Sequence, residues 1–182
     1  VQLTRRELSN RYARAFAPRV ALKANVAYAC LRLGGIGPDT ERLLDPFCGS
    51  GTLLLEAGAV LPDTALFGSD RQEQAVEGAR RNLDAAGLTA RAELRQAEAL
   101  SLDRIYPTGY FDAVVTNPPY GARLGRGIRF GPFYTDLLTQ AHHLLRPGGR
   151  LVVLVRKRGA FHGALAKVGG FRIRQEQMVA TS

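Results

Sequence analysis

Four consecutive residues, Asn117-Pro118-Pro119-Tyr120, follow an apolar run that ends at Thr116. Proline fixes φ and has no N–H, so this stretch presents acceptors: the Asn117 side-chain oxygen and the Pro118 carbonyl. Two acceptors converging on one amine would hold its two hydrogens and leave the nitrogen lone pair facing an electrophile. Tyr120 offers a flat face on which a flipped-out base can stack. The pattern predicts chemistry on the amine of a flat ring, the alternative being a rigid turn without function.

A glycine-rich turn lies earlier in the chain, in Asp45-Pro46-Phe47-Cys48-Gly49-Ser50-Gly51-Thr52. Gly49 and Gly51 lack a Cβ, so the backbone can approach a ligand closely. Exposed amides at the start of the following helix could bind a carboxylate. A nucleotide site and a purely structural turn are the alternatives, although Leu54 stands where the G-x-G-x-x-G motif needs its third glycine. We interpret Cys48 as a small packing residue.

Two acidic residues follow the next two predicted strands. Asp70 closes the second strand, where a carboxylate can accept both hydroxyls of a ribose. Capping of the next helix is an equally good interpretation of Asp70. Glu98 follows the third strand and could accept a hydrogen bond from the amino group of adenine.

Basic residues dominate the charge of the chain. There are 25 Lys and Arg against 16 Asp and Glu, a net charge of +9, which favours a polyanionic partner such as nucleic acid over a generally basic host composition. Arg123, Arg126 and Arg129 lie in a glycine-rich stretch after Tyr120, where they could contact phosphates. A solvated loop is the alternative. His142-His143 has no Cys or carboxylate cluster beside it in the sequence, so we predict no metal site.

Alternating strands and helices must position these residues. The alternation predicts an α/β fold with a doubly wound, mostly parallel sheet, in which ligands bind beyond the carboxyl ends of the strands. Residues 3–33 read as helical and end at Gly34-Gly35-Ile36-Gly37-Pro38. The run 151–155 is continuously apolar and predicts a central strand buried on both faces. The remaining predicted strands are 41–47, 65–69, 91–97 and 111–116, and the helices are 52–60, 72–86 and 134–145.

The length predicts one domain of ordinary size. The end of the helical stretch divides the chain into an N-terminal helical segment at 1–40, which we expect to pack on the domain, and the alternating strand–helix domain at 41–182, which contains the motifs above. The 182 residues are 46% hydrophobic, as in globular proteins, and no apolar run reaches the roughly 20 residues that span a bilayer. We therefore expect no membrane partner. Two cysteines are too few for a disulfide framework and suit a reducing, cytoplasmic location.

The two motifs together resemble motifs I and IV of class I amino-methyltransferases. The long first motif, Gly121 after the tyrosine and the preceding helical segment resemble the THUMP-associated, UPF0020-type RNA methylases, which modify the 2-amino group of guanosine in tRNA or rRNA. The resemblance covers residues 12–155 and implies a Rossmann-like domain that binds S-adenosyl-L-methionine. It assigns the cofactor's methionine part to residues 45–51, the ribose to Asp70 and the adenine to Glu98, with Thr52 and Asn117 also among the cofactor-binding residues. It assigns the target amine to Asn117, Pro118 and Tyr120. The stretch 16–25 resembles the segment that folds over the cofactor.

Two departures from the family pattern stand out. No THUMP-like RNA-binding domain fits into the first thirty or so residues, so we expect a separate one in the full-length protein. Residues 171–180 could form the first strand of the terminal hairpin, and the sequence stops at Ser182 before a second. The same motifs also occur in DNA adenine or cytosine methyltransferases and in protein glutamine methyltransferases. An inactive RNA-binding partner with this fold is an alternative of another class.

Overall fold

The computed structural model describes residue 16, residues 21–119 and residues 129–179 of the chain. Within these residues five parallel strands form one sheet in the order β3-β2-β1-β4-β5. The strands are β1 Arg42–Asp45, β2 Ala65–Asp70, β3 Ala92–Gln96, β4 Phe111–Thr116 and β5 Leu145–Val153. The helices are α1 Ala24–Leu33, α2 Thr52–Val60, α3 Glu73–Ala85, α4 Phe130–Leu144 and α5 Arg158–Val168, with 3-10 turns at Thr89–Arg91 and Ala99–Arg104. The predicted doubly wound α/β class is confirmed.

The sheet has a hydrophobic layer on each face, because successive strand residues point to opposite sides. Leu43 of β1 packs with residues of α1, α2 and α3, whereas its neighbour Leu44 packs with residues of α4. The α2 sequence is apolar almost all round and is buried from Thr52 to Gly58. It lies in the interior, as a helix without a polar face must. This helix begins directly after the glycine-rich turn and holds that turn against the core.

The fifth strand differs from its prediction. Within the described residues β5 pairs only with β4, and its residues from Gly149 to Val153 are half-buried, so it is an edge strand of this sheet. A continuous apolar run does not by itself distinguish a central strand from an edge strand covered by helices. The predicted turn at 146–149 lies within the strand, where the register with β4 shifts between Phe111 and Ala113.

Two other segments also depart from the predictions. Residues 158–168 form α5, which we did not predict, and it packs on α4 through Ala164 and Phe161. Residues 171–179 contain neither helix nor strand, so the predicted strand at 171–180 is absent from its described part. Leu22 and Lys23 precede α1 and are not helical, and residues 1–15 and 17–20 of the predicted N-terminal helical segment lie outside the described residues. No helix in the described ranges has the length and apolar character needed to cross a bilayer.

Candidate functional site

The carboxyl ends of the parallel strands bring the predicted chemical groups to one edge of the sheet. Asp45 ends β1, Asp70 ends β2, and Asn117 follows β4 directly. Because β1 pairs with both β2 and β4, the three side chains belong to adjacent strands. This is the edge at which doubly wound sheets bind ligands.

The glycine-rich turn that follows β1 is tightly folded. The amide of Cys48 donates to the carbonyl of Ser69 at 2.8 Å, and the amide of Gly51 donates to the carbonyl of Cys48 at 2.7 Å. Gly51 has φ +77°, and a Cβ there would lie 3.2 Å from the Cβ of Ala79 in α3. Glycine at 51 therefore lets α2 begin close against α3.

Gly49 has a different environment from Gly51. It has φ +51° and is half-buried, and among the residues that the structure describes a Cβ there would meet only the carbonyl oxygen of Phe47, at 4.0 Å. The turn thus has a closed side at Gly51 and an open side at Gly49. An open backbone surface at a helix start fits a carboxylate-bearing ligand such as an amino acid.

Asp45 is buried beneath this turn. Its Oδ1 accepts a hydrogen bond from the Phe47 amide at 3.1 Å and another from the Thr116 hydroxyl at 2.8 Å. The side chain is about 2% exposed, and this burial raises the pKa of Asp45 to about 7. The carboxyl thereby ties the residue before Asn117 to the start of the glycine-rich turn.

Asp70 joins the ends of β2 and β1. Its Oδ2 accepts from the Gly49 amide at 3.1 Å, and its Oδ1 accepts from the Gln72 amide at 3.0 Å. The second bond reaches the amide of Gln72, the N-cap residue of α3, and is a local Asx-type turn. It is not the helix cap considered from the sequence, because α3 has no side-chain hydrogen bond at its N-cap. The first bond was not foreseen, and it places the carboxylate beside the open glycine.

Glu98 and the remaining residues of the turn occupy different surroundings. Glu98 is exposed and precedes the 3-10 turn at Ala99–Arg104, while the neighbouring Ala97 amide donates to the Asp70 carbonyl at 3.0 Å. Glu98 is therefore the residue next to Ala97, whose backbone hydrogen bond holds this segment beside Asp70. Pro46, Cys48 and Thr52 are buried. Burial raises the pKa of the Cys48 thiol, which keeps it protonated and fits a packing role.

The residues after β4 are in part described. Asn117 is half-buried, Pro118 is buried, and the Thr116 carbonyl accepts from the Leu154 amide at 3.1 Å, which ties this point to β5. Tyr120, Arg123 and Arg126 lie outside the described residues. Arg129 is exposed immediately before α4.

Aromatic side chains surround this edge on the α4 side. Phe47 of the glycine-rich turn contacts Phe133 with ring centroids 6.1 Å apart. The hydroxyl of Tyr134, whose side chain is fully buried, accepts from the Arg156 amide at 3.3 Å. The end of β5 is thus held to α4 beside the candidate site. No group of three or more His, Cys, Asp or Glu residues that could hold a metal ion occurs in the described parts of the chain.

Sequence reasoning missed two residues that organise the site, Thr116 and Asn82. Thr116 is a polar residue at the end of an otherwise apolar strand, a signal that we did not use. Asn82 is 2% exposed within α3, and its side chain hydrogen-bonds both Phe16 and Ser50. An asparagine at a buried helical position is a second unused signal, because such a group must find partners.

The arrangement defines a class I methyltransferase-like domain: a parallel sheet with a glycine-rich turn after β1 and Asn-Pro-Pro after β4. Residues 11–182 match the UPF0020 family, the RMKL-like methyltransferase domain. The chain therefore belongs to this family of methyltransferase domains.

Relatives of known name agree with this assignment. The chain is 40% identical over 180 residues to a tRNA (guanine(6)-N2)-methyltransferase of Thermus thermophilus, covering 98% of this chain and 52% of that protein. It is 32% identical over 162 residues to the mouse U6 snRNA (guanine-N(2))-methyltransferase THUMPD2, covering 88% of this chain and 29% of that protein. The crystal structure of TrmN from Thermus thermophilus superposes with a TM-score of 0.76 at 36% identity, covering 89% of this chain and 46% of that one. The chain thus spans about half or less of the length of these relatives.

Proposed function

We propose that this chain transfers a methyl group from S-adenosyl-L-methionine to an exocyclic amino group of a nucleobase in RNA, most specifically the 2-amino group of guanosine in tRNA or rRNA. The observation that carries the proposal is the hydrogen bond between Thr116 and Asp45. It fixes the start of Asn117-Pro118-Pro119 against the glycine-rich turn, so an amine-holding group and a ligand-binding turn share one edge. The guanine-N2 specificity named for both relatives supports the choice of amine.

The chain's own residues fit the cofactor at three points. The open side of Gly49 and the turn from Asp45 to Thr52 would hold its methionine part. Asp70, beside Gly49, would accept the ribose hydroxyls, and Glu98 would accept from the adenine amino group. When bound, S-adenosyl-L-methionine supplies a methyl group on a sulfonium, which is already a strong electrophile.

Catalysis then depends on orientation of the amine by residues after β4. The Asn117 side-chain oxygen and the Pro118 carbonyl would accept its two hydrogens, and Tyr120 would stack on the base. The nitrogen lone pair would then be free to form a bond to the methyl carbon as that carbon's bond to sulfur breaks and leaves a neutral thioether. The extra proton of the methylated amine would pass to water. Correct alignment of the amine and the methyl group lowers the activation barrier by roughly several kcal/mol. The reaction therefore does not need a strong general base.

RNA binding would depend on basic residues near the same edge. Arg129 is exposed just before α4, and Arg156 and Lys157 are exposed after β5. With Arg123 and Arg126 these side chains would contact phosphates beside the target nucleotide. We also propose a catalytic domain at 41–182 with an accessory segment at 1–40. Because the chain spans about half of its relatives or less, a separate THUMP-like domain would bring the RNA to this site.

A cytoplasmic location completes the proposal. Cys30 and Cys48 are buried free thiols, which suits a reducing compartment.

The test is incubation of the protein with methyl-labelled cofactor and a panel of tRNA, rRNA, DNA and protein substrates, followed by nucleoside analysis of the labelled product. We expect label in N2-methylguanosine of an RNA. Label in a DNA base or in glutamine would contradict the RNA proposal while leaving amino-methyl transfer in place. Binding of cofactor and RNA with no transfer to any member of the panel would support the inactive-partner alternative.

A further inference from the structure

The buried side chain of Asn82 makes three hydrogen bonds to two segments that are distant from it in the sequence. Its Oδ1 accepts from the Phe16 amide at 2.9 Å, and its Nδ2 donates to the Phe16 carbonyl at 2.7 Å. The same Nδ2 donates to the carbonyl of Ser50 at 2.9 Å. A primary amide has two N–H donors and one acceptor oxygen, so all of its functional groups are engaged. Asn82 thus binds the Phe16 backbone as a neighbouring strand would.

Gly78 provides the space for this contact, one helical turn before Asn82. A Cβ on Gly78 would overlap the ring of Phe16, including its Cγ atom. Residues i and i+4 lie on the same face of a helix, so Gly78 receives the ring where Asn82 binds the backbone. The face of α3 is therefore shaped for Phe16 by two residues of different chemistry.

Ser50 connects this docking point to the candidate cofactor site. It lies between Gly49 and Gly51 in the glycine-rich turn and is 5% exposed. The Gly49 amide on one side of it donates to Asp70, and the Gly51 amide on the other donates to Cys48. Any shift of the Ser50 carbonyl would therefore also move the backbone of Gly49, where the cofactor is proposed to bind.

We propose that Asn82 is a positioning residue that couples docking of the Phe16 backbone to the glycine-rich turn, so that cofactor binding and docking of Phe16 stabilise each other. The inference rests on the proposed cofactor site. A coupling of this kind is reciprocal: ligand binding must strengthen the Phe16 contact by the same factor by which that contact strengthens ligand binding. Loss of Asn82 leaves the buried Ser50 carbonyl and the two partly buried backbone groups of Phe16 without these partners, which costs free energy wherever water cannot replace Asn82.

The experiment combines amide hydrogen exchange at Phe16 with calorimetric titration of S-adenosylhomocysteine, the demethylated cofactor. In the wild-type chain we expect the ligand to slow exchange of the Phe16 amide about tenfold or more, within the usual range of coupling between sites. In Asn82→Ala we expect no such protection, together with a loss of ligand affinity of about tenfold.

Gly78→Ala gives a second, independent variant. Alanine forms helices better than glycine, so this change favours α3 while it displaces the Phe16 ring. It should reduce both ligand protection and affinity even if Asn82→Ala does not fold. Thr64→Val is the matched control: Thr64 is a buried residue whose hydroxyl donates to the Thr40 carbonyl at 2.6 Å, at the opposite edge of the sheet. This variant should lower the melting temperature without changing the ligand's effect on Phe16.

The possible outcomes separate the coupling from the proposed function. Normal binding by the wild-type chain with unchanged exchange at Phe16 would overturn the coupling alone, as would wild-type affinity in Gly78→Ala. Failure of the wild-type chain to bind the ligand would overturn both proposals. Intact coupling without RNA methylation would overturn only the proposed function.

Discussion

The Thr116 hydroxyl donates a 2.8 Å hydrogen bond to the Asp45 carboxyl, across the carboxyl ends of the neighbouring strands β4 and β1. Asp45 also accepts from the Phe47 amide, so one buried group holds the start of the glycine-rich turn and the approach to Asn117. A carboxyl in this position costs free energy when ionised, because burial removes its hydration. The cost has a measurable consequence for stability.

The first prediction concerns the pH dependence of unfolding. The folded-state pKa of Asp45 is about 7, above its ordinary value of 3.8, so between these pH values the unfolded chain has lost a proton that the folded chain keeps. The stabilising contribution is complete below about pH 4, falls as pH rises to about 7, and is then constant. This difference between the folded-state and unfolded-state pKa of Asp45 corresponds to a change in the free energy of unfolding on the order of 4 kcal/mol. Asp45→Asn should remove this decline in urea-unfolding free energies measured from pH 4.5 to 8.

Asp112 is the control for the sign of that effect. Burial raises the pKa of Asp112, but hydrogen bonds from Arg146 and from the Arg42 and Glu41 amides outweigh it and leave the pKa lowered. Its stabilising contribution is therefore present above its unfolded pKa and lost as pH falls. Asp112→Asn should reduce stability at pH 7 and leave the Asp45-dependent decline in place. An Asp45→Asn chain that still shows the full decline would show that another group carries it.

The second prediction separates two roles of Asp70. Its carboxylate accepts from the Gly49 amide and would also accept from the ribose, so Asp70→Ala should weaken S-adenosylhomocysteine binding by roughly 10- to 100-fold, the cost of losing hydrogen bonds to a charged group. An analogue lacking the ribose 2′-hydroxyl should bind the wild-type chain more weakly than the parent ligand. In Asp70→Ala the two ligands should bind equally, by calorimetry. Persistent discrimination in that variant would mean that Asp70 acts only through Gly49.

The fold and the site differed in how far sequence could predict them. Strand ends at Asp45, Asp70 and Thr116 are set by local patterns of apolar residues and by the turns that follow them, and the structure places all three at one edge. The mutual contacts of these residues depend on strand order and register, which no local pattern encodes. The Thr116–Asp45 bond spans 71 residues in sequence and the Asn82–Phe16 bond spans 66, so neither follows from a motif.

Helix α5 was missed for a different physical reason. Its sequence includes Gly159 and Gly163, and glycine disfavours helix by about 1 kcal/mol relative to alanine. Packing overrides this preference: Phe161 meets Tyr134 of α4 with ring centroids 5.3 Å apart, and Ala164 is buried between the helices. The edge position of β5 was missed because apolar content reports burial and not the number of strand neighbours.

The third prediction tests the basic stretch that follows Asn117-Pro118-Pro119-Tyr120. Replacing Arg123, Arg126 and Arg129 with Ala should lower RNA affinity and flatten its dependence on salt, because fewer counterions are released from phosphates. If all three contact phosphates, the slope of log affinity against log salt should fall by about two to three. Arg32 and Arg104, which are exposed and precede β1 and β4 in the chain, provide a control pair whose replacement should leave the slope nearly unchanged. Filter binding at several salt concentrations measures the RNA affinity and its dependence on salt. An unaltered slope in the triple variant would show that this stretch is not part of the RNA-binding surface.

The fourth prediction concerns the amine-orienting role of Asn117. Asn117→Ala should reduce turnover by about 100-fold or more, because an amine held by one acceptor can rotate its lone pair away from the methyl group, and small misalignments of a reacting pair cost that much. Cofactor affinity should remain nearly unchanged, since the methionine and ribose parts are assigned to residues 45–52 and Asp70.

Substitutions of Tyr120 separate orientation of the amine from stacking of the base. Tyr120→Ala should lose stacking worth roughly 1–3 kcal/mol, whereas Tyr120→Phe keeps the flat ring and should lose much less. Single-turnover methylation of a confirmed RNA substrate, with ligand affinity measured on the same preparations, distinguishes these effects from a loss of cofactor. Full activity in Asn117→Ala would contradict the amino-methyl transfer mechanism itself, because that mechanism requires the Asn117 side-chain oxygen as one of the two acceptors that hold the amine.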